Sequence, residues 1–184
     1  PDPKFLDAFP DVSGNDINGL GETNPRPASP FFWHPPTKQP FGELQDAVLD
    51  HHRLSPLVRK TYSPKAPRGP RPVELAPERI DKDPAEWTAE IKKFALDNEA
   101  DMVGIVPMDP EYVYEGYEIN EAWVIMIGVA KDHKRLNTAP DTVDNADSSI
   151  EVGEQYNRAA RVSRNLSNHI LEQGHYAKAY AGPY

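Results

Sequence analysis

The sequence predicts an α+β or α/β fold, a mixed-sheet sandwich preceded by an extended, proline-rich arm. Three observations predict it. All but four of the twenty prolines lie at or before Pro84, so regular structure is pushed into the second half of the chain. From Asp83 onward the hydrophobic pattern reads helix, strand, strand, helix, strand. The strand Trp123–Ala130 is apolar on both faces, the pattern of a central strand covered on both sides. The expected organisation is an arm and linker over 1–82 and an α-β-β-α-β module over 83–184.

The arm comes first. Its polar-glycine clusters, Ser13-Gly-Asn-Asp16 and Asn18-Gly-Leu-Gly21, are turn chemistry. Disordered arms are poor in aromatics, yet this one carries Phe5, Phe9, Phe31, Phe32, Trp33 and Phe41. These side chains are expected to pin it to a larger body. One short helix is predicted over Gly42–His52, from the spacing of Leu44, Ala47, Val48 and His51. The text from Tyr62 to Pro77 reads as an extended linker with polyproline character.

The module opens on Asp83-Pro84-Ala85-Glu86, a cap, a first-turn proline and the acidic residue of a capping box. Trp87, Ile91, Phe94, Ala95 and Asn98 then give the helix an apolar face through about Glu99. A first strand is predicted over Asp101–Met108, stopped by Pro107 and Pro110. After the second strand comes a polar connection, Asn137 to Ser149. Ser148-Ser-Ile-Glu151 offers a capping box for a long helix with one buried stripe: Val152, Tyr156, Ala159, Ser163, Leu166 and Ile170. Gly174 ends that helix, and His175–Tyr180 alternates as a third strand. The chain stops soon after, so more protein is expected beyond Tyr184.

Composition excludes several functions. A net charge of −9 and a pI near 5.1 argue against a nucleic-acid partner. Arg158, Arg161 and Arg164 share a helix with Glu151 and Glu154 and read as a solvated face. The longest apolar run, Ala122–Ala130, is nine residues, far below the roughly 20 of a membrane span. With no cysteine in the chain, it has no disulfide, no thiolate nucleophile and no cysteine ligand for a cluster.

The chemistry-bearing residues are scattered. His34, His51, His52, His133, His169 and His175 lack a metal-binding spacing, so no metal site is expected, and no catalytic residue is assigned. No phosphate loop, GxGxxG or GxSxG is present. Tyr112, Tyr114 and Tyr117 crowd the end of the first strand, where an open α/β sheet presents its crevice; packing is their simpler role. The run Phe31-Phe32-Trp33 offers a flat apolar wall for a large planar cofactor, or an anchor for the arm.

Val103-Gly-Ile-Val-Pro-Met-Asp-Pro-Glu-Tyr-Val-Tyr114 resembles a block of the cobalamin-dependent reductive dehalogenases, in which a VGI…LD…WVY pattern follows a helix. Downstream, the strand Ala122–Ala130, Asn137-Thr-Ala-Pro140, Gln155-Tyr-Asn-Arg-Ala-Ala160 and Leu171-Glu-Gln-Gly-His-Tyr-Ala177 follow in that family's order. The resemblance covers about residues 86–182, with Tyr112 where the family often has Trp and Gln173-Gly-His-Tyr176 in place of Leu-Gly-Tyr.

It implies the N-terminal portion of a soluble, cytoplasmic oxidoreductase with a nitroreductase-like scaffold. Such an enzyme cleaves a carbon–halogen bond of an organohalide with a cobalamin (corrinoid) cofactor and 4Fe-4S clusters fed by an electron donor. The family's cluster cysteines and catalytic tyrosine lie in its later half, so the missing C-terminal part is the implied partner and this segment alone is not expected to be active. Phe31, Phe32 and Trp33 are the expected cofactor-binding residues. A non-catalytic scaffold or corrinoid-binding module acting by association is the alternative, and a flavin-binding nitroreductase-like domain a third reading.

Overall fold

The computed structural model describes residues 55–114, 116–142 and 144–180. The predicted helix Gly42–His52 and the aromatic run Phe31–Trp33 lie outside the described residues. Two compact units divide the chain, residues 109–118 falling in one and residues 55–108 and 119–180 in the other.

The larger unit has α+β architecture. Its elements are α1 (Pro56–Thr61), α2 (Pro84–Asp97), β1 (Met102–Pro107), β2 (Trp123–Gly128), α3 (His133–Leu136) and α4 (Asp147–Glu172). β1 and β2 form a two-stranded antiparallel sheet in which Val103 faces Ile127 and Ile105 faces Ile125. Those four residues pack onto Ile91 and Ala95 of α2 and Val162 and Leu166 of α4. The core is therefore one sheet face closed by two helices.

α2 forms as its sequence predicts. Asp83 accepts from the Ala85 N–H at 2.8 Å, and Glu86 takes the Asp83 N–H at 3.1 Å, completing the capping box. Ile91 and Ala95 are buried, with Trp87 and Phe94 partly so. The helix ends without glycine. Glu99 holds φ +75° so that the Ala100 N–H can return to the Ala95 carbonyl, a position normally given to glycine.

The sheet departs from expectation. Among the described residues the sheet is an antiparallel pair where a mixed sheet is expected, and β2 is not covered on both sides: Met126, on the face away from the helices, is 61% exposed. Paired residues share a face, so Met102 with Gly128, Gly104 with Met126, and Val106 with Val124 line the face turned away from the helices. His175–Tyr180 keeps the alternation of a strand, half-buried at odd positions and exposed at Tyr176, Lys178 and Tyr180, but belongs to no sheet among the described residues. Side-chain alternation is local, whereas a ladder needs a neighbour edge.

α4 begins two residues before its predicted start, with Ala146 rather than Ser148 as its N-cap, and stops at Gly174, whose φ of +78° lets the His175 N–H reach the Ile170 carbonyl. Its N-cap residue, Ala146, brings no capping side chain; the Asp147 N–H is taken by Asn145 Oδ1 at 2.8 Å and the Ser149 N–H by Asp141 Oδ1 at 3.4 Å, and Glu151 does not complete a capping box. It is 1% exposed and accepts from the Asp132 N–H at 2.7 Å, from Gln155 and from Arg135, tying α3 to α4.

The single predicted stripe is also revised. Leu166 is buried, but Tyr156 is 47% exposed, and a second face carries the buried Gly153, Asn157, Ala160, Asn168 and Leu171. That face receives α1 and the segment after it. Asn157 donates to the Thr61 carbonyl at 2.8 Å and accepts from Arg68 Nε at 3.1 Å. Asn168 donates to the Arg71 carbonyl and accepts from the Val73 N–H. Ala76 and Ile80 N–H groups reach the Leu171 and Gln173 carbonyls at the helix end, where such acceptors lack helical partners. The expected linker is thus, from Pro67 on, a length of chain without regular structure bonded along α4. Nor is the arginine row a purely solvated face. Arg158 pairs with Asp101 at 2.9 Å and Arg161 with Glu99 at 2.7 Å, clamping α4 to the turn between α2 and β1.

In the smaller unit, Pro110–Tyr112 is a 3-10 helix opened by Asp109, whose side chain accepts from the Glu111 N–H. Tyr112, Tyr114 and Tyr117 of this unit are 62%, 39% and 51% exposed, so none is a buried phenol. Among the described residues no helix is long and apolar enough to cross a membrane.

Candidate functional site

The densest polar cluster outside the clamps lies where the last turns of α4 meet α2. Helical spacing carries Glu90 and Phe94 on α2 to one side, one turn apart. Opposite them His169, on α4, places Nε2 2.9 Å from Glu90 Oε1 and stacks on the Phe94 ring at 4.2 Å with 12° between planes. Lys82, just before α2, pairs with the other oxygen of Glu90 and sits 4.4 Å over the Trp87 ring. Edge-on to Trp87 at 5.0 Å stands His175, whose Nε2 meets the Ile80 carbonyl at 2.9 Å.

The electrostatics follow from this packing. The Lys82 ammonium first, and then the His169 ring, hold the Glu90 carboxyl below the usual carboxylate range. Glu90 therefore remains an acceptor that fixes one ring nitrogen of His169, while Phe94 fixes the ring plane.

Beside this cluster opens a groove of about 400 Å³ whose walls include Pro70 and Val73 on one side and Phe94, Asn98, Asn165 and His169 on the other. Asn98 spends its amide on the Phe94 carbonyl. Its lining combines the Phe94 and His169 rings with the side chains of Asn98, Asn165, Asn168 and Glu172. The cluster beside it joins the His169 imidazole to the Glu90 carboxylate, and the chain has no thiol to serve beside them. Among the described residues no three His, Asp or Glu side chains converge on a metal position.

The histidines of this cluster were not singled out by the sequence. His169 and Glu90 stand 79 residues apart, and neither has a neighbour that marks it. The tyrosines that were singled out fall in the separate unit, and Phe31, Phe32 and Trp33 lie outside the described residues.

The chain matches no protein-family model, and no curated protein matches it.

Proposed function

We propose that this chain is the N-terminal portion of a corrinoid-dependent reductive dehalogenase, serving mainly as scaffold in a cytoplasmic enzyme that removes halide from an organohalide. The observation that carries the reading is the block Val103–Tyr114 followed, in order, by the four downstream stretches ending at Ala177. The helix-strand-strand-helix order around that block is compatible with it.

The residues present do not fit an iron–sulfur cluster. The chain has no cysteine and no converging ligand group among the described residues, so any cluster would be held by another stretch of polypeptide. For the corrinoid, the proposed contribution is the apolar wall of Phe31, Phe32 and Trp33, and no chemical step is assigned to these residues.

Two measurements test the proposal. Reading on through the coding frame past Tyr184 should reveal cysteine clusters of the CxxCxxCxxxCP type; a stop codon there would remove the enzyme reading. Titrating the 184-residue chain with hydroxocobalamin should shift the corrinoid absorption bands, and W33A should weaken the shift. An unshifted spectrum would discard the aromatic wall and leave a scaffold that acts by association.

A further inference from the structure

We propose that residues 67–80 are a releasable strap, which opens from α4 while the helix pair and sheet stay folded and so uncovers the groove beside His169. From Pro67 to Ile80 no residue is buried, and Arg68 and Ala76 are the two that reach half-burial. Val73, Leu75 and Ile80 remain 37%, 49% and 44% exposed. Apolar burial, which locks Ile91 and Ala95 against Val162 and Leu166, is thus nearly absent from the strap.

Its fastenings are polar and regularly placed. Arg161 Nη1 donates to the Pro67 carbonyl at 2.8 Å, Asn168 meets Arg71 O at 2.9 Å and Val73 N at 3.1 Å, and the Ala76 and Ile80 N–H groups reach helix-end carbonyls at 3.0 and 2.9 Å. Water can replace each of these bonds on opening, so their net hold is modest. Segments with few buried apolar contacts and solvent-exposed hydrogen bonds open below the global unfolding limit.

Two glycines set where the strap seats. Gly69, at φ +88°, lies so close that a β-carbon would come within 2.9 Å of Arg161 Cα, and Gly174 would overlap the Glu78 and Arg79 backbone if it carried one. Pro70 and Val73 are the strap's share of the groove wall, facing Phe94, Asn98, Asn165 and His169. Lifting the strap removes that wall and frees both ends of the Asn168 amide.

Amide hydrogen exchange on the full 184-residue chain at neutral pH tests this. Val73, Ala76 and Ile80 should exchange at least about tenfold faster than Ala95 and Val162. V73P deletes the N–H that Asn168 accepts, at an exposed position outside both helices. It should speed Ala76 and Ile80 by up to about tenfold and leave Ala95 and Val162 unchanged. N168A should act in the same direction, and V73P keeps the test intact if that buried change prevents folding. Exchange of Val73, Ala76 and Ile80 at the rate of Ala95 and Val162 in the parent chain, or equal acceleration of Ala76, Ile80, Ala95 and Val162 by V73P, would overturn the strap and make the segment an integral part of the fold.

Discussion

Glu99 shows how a single residue can be held against its own preference. A non-glycine side chain in the left-handed region costs roughly 1–2 kcal/mol, and here the Arg161 fork closes on both carboxylate oxygens at 2.7 and 2.8 Å. Exposed pairs are worth at most about 1 kcal/mol, so the pair offsets the strain without exceeding it. E99A should therefore be less stable than E99G by about 1 kcal/mol, the reverse of the usual order for helix-forming residues, measured as urea midpoints. Glu151 poses the opposite case, a buried carboxylate fully engaged. E151A leaves the Asp132 N–H unpaired and Arg135 with only its Glu154 partner. Because Arg135 is one-third exposed, the expected loss is about 3 kcal/mol, the lower edge for a broken buried pair. E151Q retains an acceptor and should lose less in the same chemical-denaturation assay.

Between elements, α1 and α4 meet across Gly153. A β-carbon there would overlap the Thr61 side chain and press on the Tyr62 ring at 3.2 Å. Overpacking of this kind costs about 1–3 kcal/mol, against roughly 1 kcal/mol of helix propensity that alanine gains over glycine. G153A should thus lower the thermal midpoint, whereas an unconstrained helical glycine would gain from the change. This contact also shows what could be read beforehand. α2 was legible because its cap, proline and apolar face are neighbours in sequence, and α4 because its stripe runs for many turns. The second face of α4 was not, since Asn157 and Asn168 look like surface residues until the carbonyls they meet, 96 and 97 residues away, are known. For α1 the local cue existed, Ser55 followed by Pro56, but six residues are too few for periodicity to declare itself. His175–Tyr180 alternates as read, but among the described residues it joins no sheet. The Glu90–His169 pair had no local mark at all.

For the whole molecule, acid is the informative variable. Lys82 and His169 depress the Glu90 carboxyl, Arg161 depresses Glu99, and the Ala130 N–H with Arg158 depresses Asp101. A carboxyl whose value is lower folded than unfolded contributes stability that is complete above its unfolded value and lost as pH falls through its folded one. The thermal midpoint should accordingly hold from pH 7 to about 5 and decline below about 4.5 as these three groups protonate. The double variant E90Q/E99Q should show a shallower decline in circular dichroism melts. A midpoint independent of pH down to 3 would show that the helix–sheet clamps do not contribute.

The sheet face turned away from the helices carries two thioethers at its surface, Met102 and Met126, 71% and 61% exposed, while Met108 is more sheltered. Dilute peroxide should convert the first two to sulfoxides well before the third. Any layer that seats on this face would protect them, so the order of methionine oxidation becomes a mass-spectrometric footprint of whatever the sheet is covered by in the cell.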